Sequence, residues 1–211
     1  MKMNQEQEII NNFHKLYYHK NTTWQNTRWM GIKIQKLPLD LFIYQEILYE
    51  IRPDLIIETG TADGGSAYYL AHLCDILGSG KIITIDIVDN NYKPFHPRIE
   101  YICASSIDPE VIKYIASKIT LDMTILVILD SDHSKDHVLE ELKLYSNFVT
   151  KDSYLIAEDS NVNGHPVFQT HGSGPYEAIG EFLLTNNNFI IDTSKEKFLM
   201  TFNPNGYLKK L

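Results

Sequence analysis

The stretch Leu55-Ile56-Ile57-Glu58-Thr59-Gly60-Thr61-Ala62-Asp63-Gly64-Gly65-Ser66 decides how this chain of 211 residues folds. An apolar run ends in an acid and breaks into a glycine-rich turn, after which an apolar helical pattern begins at Ala67. Glycines let the backbone pass close beneath a ligand, and the first turn of a helix directs unpaired N–H groups at it. The stretch predicts a strand, turn and helix around a nucleotide-type cofactor, although an ordinary tight connection produces the same pattern.

The spacing of the glycines distinguishes two classes of cofactor. A dinucleotide fingerprint, G-x-G-x-x-G, needs its second glycine where this chain has Ala62, and the carboxylate of Glu58 would repel a pyrophosphate. The same carboxylate suits a cationic ligand such as S-adenosylmethionine. We therefore predict a site for this methyl donor. Its candidate contacts in this stretch are Glu58, Gly60, Thr61, Gly64 and Ser66.

The next two apolar runs add candidate cofactor contacts. The first, residues 81–86, ends in Asp86 about 20 residues after the glycine turn, where α/β nucleotide sites place a carboxylate on the ribose hydroxyls. Asp86 is therefore the ribose candidate, with a solvated loop aspartate as the alternative. The second run, residues 99–103, precedes Ser105 and Ser106, which could border an adenine ring or simply cap the next helix.

The order of apolar runs predicts the fold class. Runs at 55–58, 82–86, 99–103, 125–129 and 154–157 alternate with helical patterns, which indicates right-handed βα units on a mostly parallel sheet. Two further runs, 189–192 and 198–202, predict an antiparallel pair that closes the sheet. We expect one Rossmann-like α/β domain over residues 1–211, with a seven-stranded sheet and helices on both faces. Residues 1–37 would form a helical and loop lead-in, and residues 38–211 the core.

Composition excludes several classes of protein. The net charge is −8 and the pI is near 5.4, and the lack of a long basic run argues against nucleic acid as a partner. Cys74 and Cys103 lack metal-ligand spacing and are expected to be reduced thiols of an intracellular protein. No apolar run approaches the roughly 18 residues of a membrane span, and no signal peptide is evident. We expect a cytoplasmic protein without a membrane span.

Acidic residues follow the fourth and fifth core runs. Residues 125–129 lead into Asp130-Ser131-Asp132-His133, and residues 154–157 lead into Glu158-Asp159. Because adjacent parallel strands bring their carboxyl ends together, these carboxylates should converge beside the cofactor. Carboxylates without thiols suit Mg²⁺. We predict a metal site that uses Asp132, Glu158 and Asp159, with separately solvated acids as the alternative.

Several short blocks lie in order along nearly the whole chain. They are Trp29-Met30-Gly31, residues 35–41, residues 52–60, residues 130–135, Glu158-Asp159, residues 161–166, Gly174-Pro175 and residues 205–208. Together they resemble the cephalosporin hydroxylase / rhamnosyl O-methyltransferase family. The resemblance implies a class I methyltransferase that transfers a methyl group from S-adenosylmethionine to an oxygen of a sugar or natural product, assisted by Mg²⁺. It also implies Asp132, Glu158 and Asp159 as metal ligands, while Asp130, otherwise a cofactor contact, is a rival for the first position.

Methyl transfer requires an oxygen nucleophile that is aligned and acidified, which a metal can achieve. His133 and His165 neighbour the carboxylates, with Asp132 as a further catalytic candidate. Either histidine could be the general base, or could hydrogen-bond to a metal-ligating carboxylate. Residues 164–174 predict a mobile lid, and Trp24 and Trp29 could stack on the acceptor or pack in the core. We expect a small-molecule or glycan acceptor and a homo-oligomer.

Two other classes of function compete with this prediction. One is an oxidoreductase or hydroxylase on the same fold, and the other is a non-catalytic protein that binds S-adenosylmethionine or acts as a scaffold. Glu58 and the missing second glycine argue against the oxidoreductase, and the lack of a two-histidine, one-carboxylate iron motif argues against the hydroxylase. The intact carboxylate cluster argues against the scaffold.

Overall fold

The computed structural model describes residues 5–20, 23–90 and 92–211, in which helices alternate with strands. The helices are α1 (Gln5–His19), α2 (Pro38–Ile51), α3 (Gly65–Leu77), α4 (Pro109–Lys118), α5 (Lys135–Tyr145) and α6 (Pro175–Thr185). The strands are β1 (Arg28–Trp29), β2 (Ile32–Lys33), β3 (Leu55–Thr59), β4 (Lys81–Asp86), β5 (Ile99–Cys103), β6 (Ile125–Leu129), β7 (Tyr154–Ala157), β8 (Phe189–Ile191) and β9 (Tyr207–Lys210). Short 3₁₀ helices lie at Trp24–Asn26 and Thr193–Glu196.

Seven of the strands form one sheet in the order β5-β4-β3-β6-β7-β9-β8. The five strands from β5 to β7 are parallel to one another, and β9 runs antiparallel to both β7 and β8. Every residue of the central strands β3 and β6 is buried, because helices cover both faces of the sheet. The predicted α/β fold, with seven strands and an antiparallel C-terminal pair, is confirmed.

The second member of the antiparallel pair is a correction to the sequence prediction. The apolar run 198–202 is not a strand, and β9, which spans Tyr207–Lys210, pairs with β8 instead. Met200 and Phe202 are buried against the lead-in, and the backbone N–H of Phe202 donates to Asp40 at 2.9 Å. The run is therefore apolar because it is buried, and burial alone does not distinguish a strand from a packed loop.

The two faces of the sheet bury different helices. Ile57 and Val127 face a core that includes residues of α5 and α6, whereas Ile56 and Leu126 face residues of α2 and α3. This division follows from the two-residue period of a strand. Because the five parallel strands run in one direction, the carboxyl ends of β3, β4, β5, β6 and β7 meet at one edge of the sheet. The functional site is expected at that edge.

Helix α1 attaches to the core through a histidine. The side chain of His14 is buried, stacks on Phe202 at 5.5 Å between ring centroids and lies 3.0 Å from Nδ2 of Asn161. An amide nitrogen can only donate, so Nε2 of His14 accepts this hydrogen bond. Burial lowers the pKa of His14 to about 4, which keeps the ring neutral. The apolar side of α1 is mostly exposed, since Ile9, Phe13 and Leu16 are each more than half accessible to solvent.

Candidate active site

A cavity of about 630 Å³ lies at the carboxyl edge of the sheet. Four of the loops that follow parallel strands line it, those after β3, β4, β5 and β6, and Asp159 after β7 adds a carboxylate. The lead-in supplies a further wall through Trp24, Lys33, Ile34 and Gln35. A volume of this size suits a cofactor or drug-sized ligand.

Two glycines that flank the turn after β3 have no room for a side chain. Gly60 has φ +86°, and a Cβ there would lie 1.8 Å from the carbonyl oxygen of Asp130. A Cβ on Gly65 would lie 1.9 Å from the carbonyl oxygen of Lys33. The turn therefore packs between the end of β6 and the lead-in, and its backbone lines the cavity.

Substituting alanine for Gly60 should weaken cofactor binding by pushing the turn away from Asp130. We expect S-adenosylhomocysteine to bind at least about tenfold more weakly, measured by calorimetry, with a loss of stability beyond the ~1–2 kcal/mol of left-handed strain. Gly78→Ala is the matched control, because Gly78 has a similar φ of +80° but no atom within 4 Å of its Cβ position. Equal effects of the two variants would show that backbone strain, not crowding, governs the turn.

Most of the predicted cofactor contacts line this cavity. They are Gly60, Thr61, Ser66, Asp86, Ser105, Ser106 and Asp130. The carboxylate of Asp86 accepts hydrogen bonds from the backbone N–H of Ala62 at 2.8 Å and of Val88 at 2.9 Å. It thereby ties the glycine turn to the loop after β4.

Glu58 and Gly64 are the two predicted cofactor contacts that do not line the cavity. Glu58 is fully buried beneath the turn, where it accepts a hydrogen bond from Oγ1 of Thr84 at 2.6 Å. Thr84 in turn accepts from Oγ1 of Thr61 at 2.7 Å, because its own proton is donated to Glu58. Burial raises the pKa of Glu58, and the charge of Lys36 opposes that rise. Glu58 therefore lies behind the cavity wall rather than in it.

A carboxylate cluster lies beside the cavity where β6 and β7 end. One oxygen each from Asp130 and Asp159 and one ring nitrogen of His133 lie within 4.8 Å of one another. Lys36, from the lead-in, places its ammonium against Oδ2 of Asp130 and 2.7 Å from Oε2 of Glu158. Two carboxylates therefore contact one lysine, and a third, that of Asp159, lies close to Asp130.

The cluster contains more carboxyl groups than cationic side chains. Burial and the neighbouring charge of Asp130 raise the pKa values of Glu158 and Asp159, while Lys36 lowers that of Glu158 and His133 that of Asp159. Burial would lower the pKa of Lys36, but Asp130 and Glu158 raise it above its ordinary value, so it remains an ammonium ion. A divalent cation is the kind of ligand that such an arrangement attracts.

Asp132, the predicted first metal ligand, holds the backbone of its own turn. Its Oδ1 accepts a hydrogen bond from the backbone N–H of Ser134 at 2.7 Å, and this bond lowers the pKa of Asp132. Asp132 is exposed and lines the cavity, but its oxygens do not belong to the close group formed with His133. The structure thus brings Asp159 together with Asp130, the alternative first ligand, and joins Glu158 to Asp130 through Lys36.

The two candidate bases lie in different places. Nε2 of His133 is 3.2 Å from Oδ2 of Asp159, and the ring lines the cavity. His165 lines a second cavity of about 350 Å³, where its Nε2 is 2.9 Å from Oε1 of Glu177 and its ring stacks on Tyr176 at 3.7 Å. His133 therefore adjoins the carboxylate cluster, whereas His165 is held by the start of α6.

Sequence reasoning did not identify Lys36 or Tyr44 as site residues. Lys36 is 4% exposed, and the hydroxyl of Tyr44 on α2 donates to Oε1 of Glu158 at 2.7 Å. Both lie far from Glu158 in sequence, so no local pattern connects them. The family-like block at residues 35–41 contains Lys36 and could have indicated that this residue belongs to the site.

Known proteins resemble this chain in sequence and in fold. The profile of the family described as Rhamnosyl O-methyltransferase/CmcI matches residues 21–211. A rhamnosyl O-methyltransferase of Mycobacterium tuberculosis (strain ATCC 25618 / H37Rv) is 42% identical over 213 residues, which cover 95% of this chain and 84% of the relative. A rhamnosyl O-methyltransferase of Mycobacterium leprae (strain TN) is 41% identical over 206 residues, which cover 95% and 90%. A CmcI structure with Mg and SAM has a TM-score of 0.67 at 20% identity, covering 89% of this chain and 77% of the neighbour, and so shares the fold.

Proposed function

The chain belongs to the Rhamnosyl O-methyltransferase/CmcI family, and we propose that it is an S-adenosylmethionine-dependent, Mg²⁺-assisted O-methyltransferase that acts on a hydroxyl of a sugar or natural product. The observation that carries this proposal is the meeting of two features at one cavity. The glycine turn and Asp86 form one side of it, and the cluster of Asp130, His133 and Asp159 forms the other. Methyl donor and acceptor would thus lie next to each other.

The residues present fit S-adenosylmethionine. The turn from Gly60 exposes backbone to the cavity, and Ser66 lies in the first turn of α3. Each oxygen of Asp86 holds one backbone N–H and retains a lone pair that could accept from a ribose hydroxyl. Ser105 and Ser106 would border the adenine ring. When bound, S-adenosylmethionine supplies the methyl carbon, whose bond to sulfur breaks as the bond to the acceptor oxygen forms.

The carboxylate cluster fits Mg²⁺. Asp130, Glu158 and Asp159 offer the hard oxygen ligands that this ion prefers. Asp130 and Asp159 lie in one close group and could hold one ion directly, and we place Glu158, which Lys36 joins to Asp130, as the third ligand. When bound, Mg²⁺ orients the acceptor hydroxyl and lowers its pKa.

His133 is the proposed general base. Its ring lies at the cavity beside Asp159, which can hold one ring nitrogen and orient the imidazole. The proton that leaves the acceptor hydroxyl would pass to His133 as the oxygen takes the methyl group. Trp24 lies on the lead-in wall, stacked on Tyr18 at 5.4 Å, and would cover the acceptor and exclude water.

The acceptor class follows from the named relatives. Both Mycobacterium proteins are described as rhamnosyl O-methyltransferases, so a rhamnoside is the first acceptor to test.

Calorimetry provides the direct test of the proposed cofactor. S-adenosylhomocysteine should bind the wild-type protein, and Asp86→Ala should weaken binding by ~1.5–3 kcal/mol through lost ribose hydrogen bonds. Asp108→Ala is a control, because Asp108 caps α4 and does not line the cavity. Binding of NADH without binding of S-adenosylhomocysteine would show that the protein is an oxidoreductase and not a methyltransferase.

Assembly, location and domain organisation complete the proposal. The exposed apolar side of α1, with Ile9, Phe13 and Leu16, supports self-association, which sedimentation of the wild-type protein and of Phe13→Glu would measure.

The lead-in contributes Trp24 and Lys36 to the site, which supports a single domain over residues 1–211. No helix in the described ranges is long and apolar enough to cross a membrane. The free thiols of Cys74 and Cys103 support a reducing cytoplasm, and cell fractionation would test this location.

A further inference from the structure

The lysine inside the carboxylate cluster is the feature that the proposed reaction leaves unexplained. Lys36 is almost fully buried, and its ammonium contacts both Asp130 and Glu158. In the methyl transfer proposed above, Lys36 contacts no substrate and transfers no proton. A buried cation between two proposed metal ligands nevertheless acts on any metal that joins them.

The position of Lys36 is determined by its neighbours in the lead-in. Ile34 and Leu37 are buried on either side of it, and the backbone carbonyl of Lys36 accepts a hydrogen bond from Oγ1 of Thr27 at 3.2 Å. Pro38 then begins α2, which limits the backbone further. With its backbone held in this way, the ammonium cannot easily withdraw from the cluster.

Glu158 is held at both of its oxygens. Oε2 lies 2.7 Å from the ammonium of Lys36, and Oε1 accepts from the hydroxyl of Tyr44 at 2.7 Å. Asp130 is held by Lys36 at one oxygen only. Lys36 therefore fixes the spacing of two carboxylates that would otherwise repel each other.

We propose that Lys36 is a resident counter-cation of the metal site. In the metal-free protein it holds Asp130 and Glu158 together, and in the metal-bound protein it remains beside them and opposes the metal charge. This inference rests on the proposed Mg²⁺ site. A resident lysine makes the site preformed, because the carboxylates are paired with a cation before the metal arrives. The same lysine makes metal binding weak and exchangeable.

The sign of the effect on metal affinity follows from comparing the two states. Without Lys36, the metal-free protein retains three converging carboxylates with no lysine between them, which is costly for buried charge. The metal-bound protein loses the ion pairs of Lys36 as well, but it also loses the repulsion between Lys36 and the metal ion. Removing the lysine charge therefore destabilises the metal-free state more, and the metal should bind more tightly.

Titration of Mn²⁺ into the protein without cofactor or acceptor tests this inference. Lys36→Met and the polar, neutral Lys36→Gln should both bind Mn²⁺ at least about tenfold more tightly than wild type, with a larger rise in Tm on adding Mn²⁺. Lys36→Arg keeps the charge and should stay within about threefold of wild type. Two neutral variants are used, and both are purified with Mn²⁺, so that poor folding of one does not decide the result.

Lys195→Met is the matched control for loss of a largely buried lysine. Lys195 pairs with Glu50 at 2.5 Å and is not part of the carboxylate cluster, so its loss should lower stability without changing Mn²⁺ affinity. Wild-type binding of Mn²⁺ together with equal or weaker binding by the neutral Lys36 variants would overturn the role of Lys36 alone. Failure of the wild-type protein to bind Mn²⁺ would overturn both the proposed metal site and the role of Lys36.

Discussion

Asp130→Asn is expected to lower kcat for methyl transfer to a rhamnoside by at least about a thousandfold, because a metal supplies several kcal/mol of activation. The amide removes one anionic ligand while keeping the shape of the side chain. Binding of S-adenosylhomocysteine should stay within about threefold of wild type, since the metal and cofactor sites only adjoin. Glu158→Gln and Asp159→Asn should behave in the same way.

Asp132→Asn is the matched control, because it neutralises a carboxylate in the same turn. The amide oxygen can still accept the hydrogen bond from the N–H of Ser134 and so keep the local turn. We expect this variant to keep activity within a few-fold of wild type. If Asp132→Asn loses activity and Asp130→Asn retains it, the ligand assignment proposed from the structure is reversed. If the wild type retains full activity in EDTA, the carboxylates have a structural role.

His133→Gln is expected to lower kcat by about 10²–10⁴-fold through loss of the general base. The remaining activity should increase with pH, because hydroxide can then replace the base. Mn²⁺ affinity should stay within about threefold, since His133 is not among the proposed metal ligands. A much larger loss of Mn²⁺ affinity would show instead that His133 ligates the metal. The measurement can detect this role, because His133 lies in the close group with Asp130 and Asp159.

His165→Gln is the control for the loss of a histidine near the same loops. His165 lines the second cavity and pairs with Glu177, so its replacement should leave the pH profile unchanged. A loss of activity as large as that of His133→Gln would indicate that the loop over residues 164–174 closes on the acceptor and brings His165 with it.

Local patterns in the chain are sufficient to predict the parallel core. The strands from β3 to β7 are short apolar runs, and each lies within a residue or two of its predicted bounds. Asp86, Asp130 and Glu158 directly end or follow such runs, so topology alone brings them to one edge. The last strand was misplaced, because residues 198–202 are as apolar as a strand but are buried in a loop.

The sequence by itself determined the fold class, the edge that carries the site and the chemistry of its acids, because a strand end is a local property. The tertiary structure alone decided which acids converge. In it, Asp132 bonds the backbone N–H of Ser134, Asp130 lies in the cluster, and His165 lines a second cavity. It also brought Lys36 and Tyr44 to Glu158 across more than 100 residues of chain. Such contacts depend on how helices and loops pack, and a one-dimensional pattern does not encode that packing.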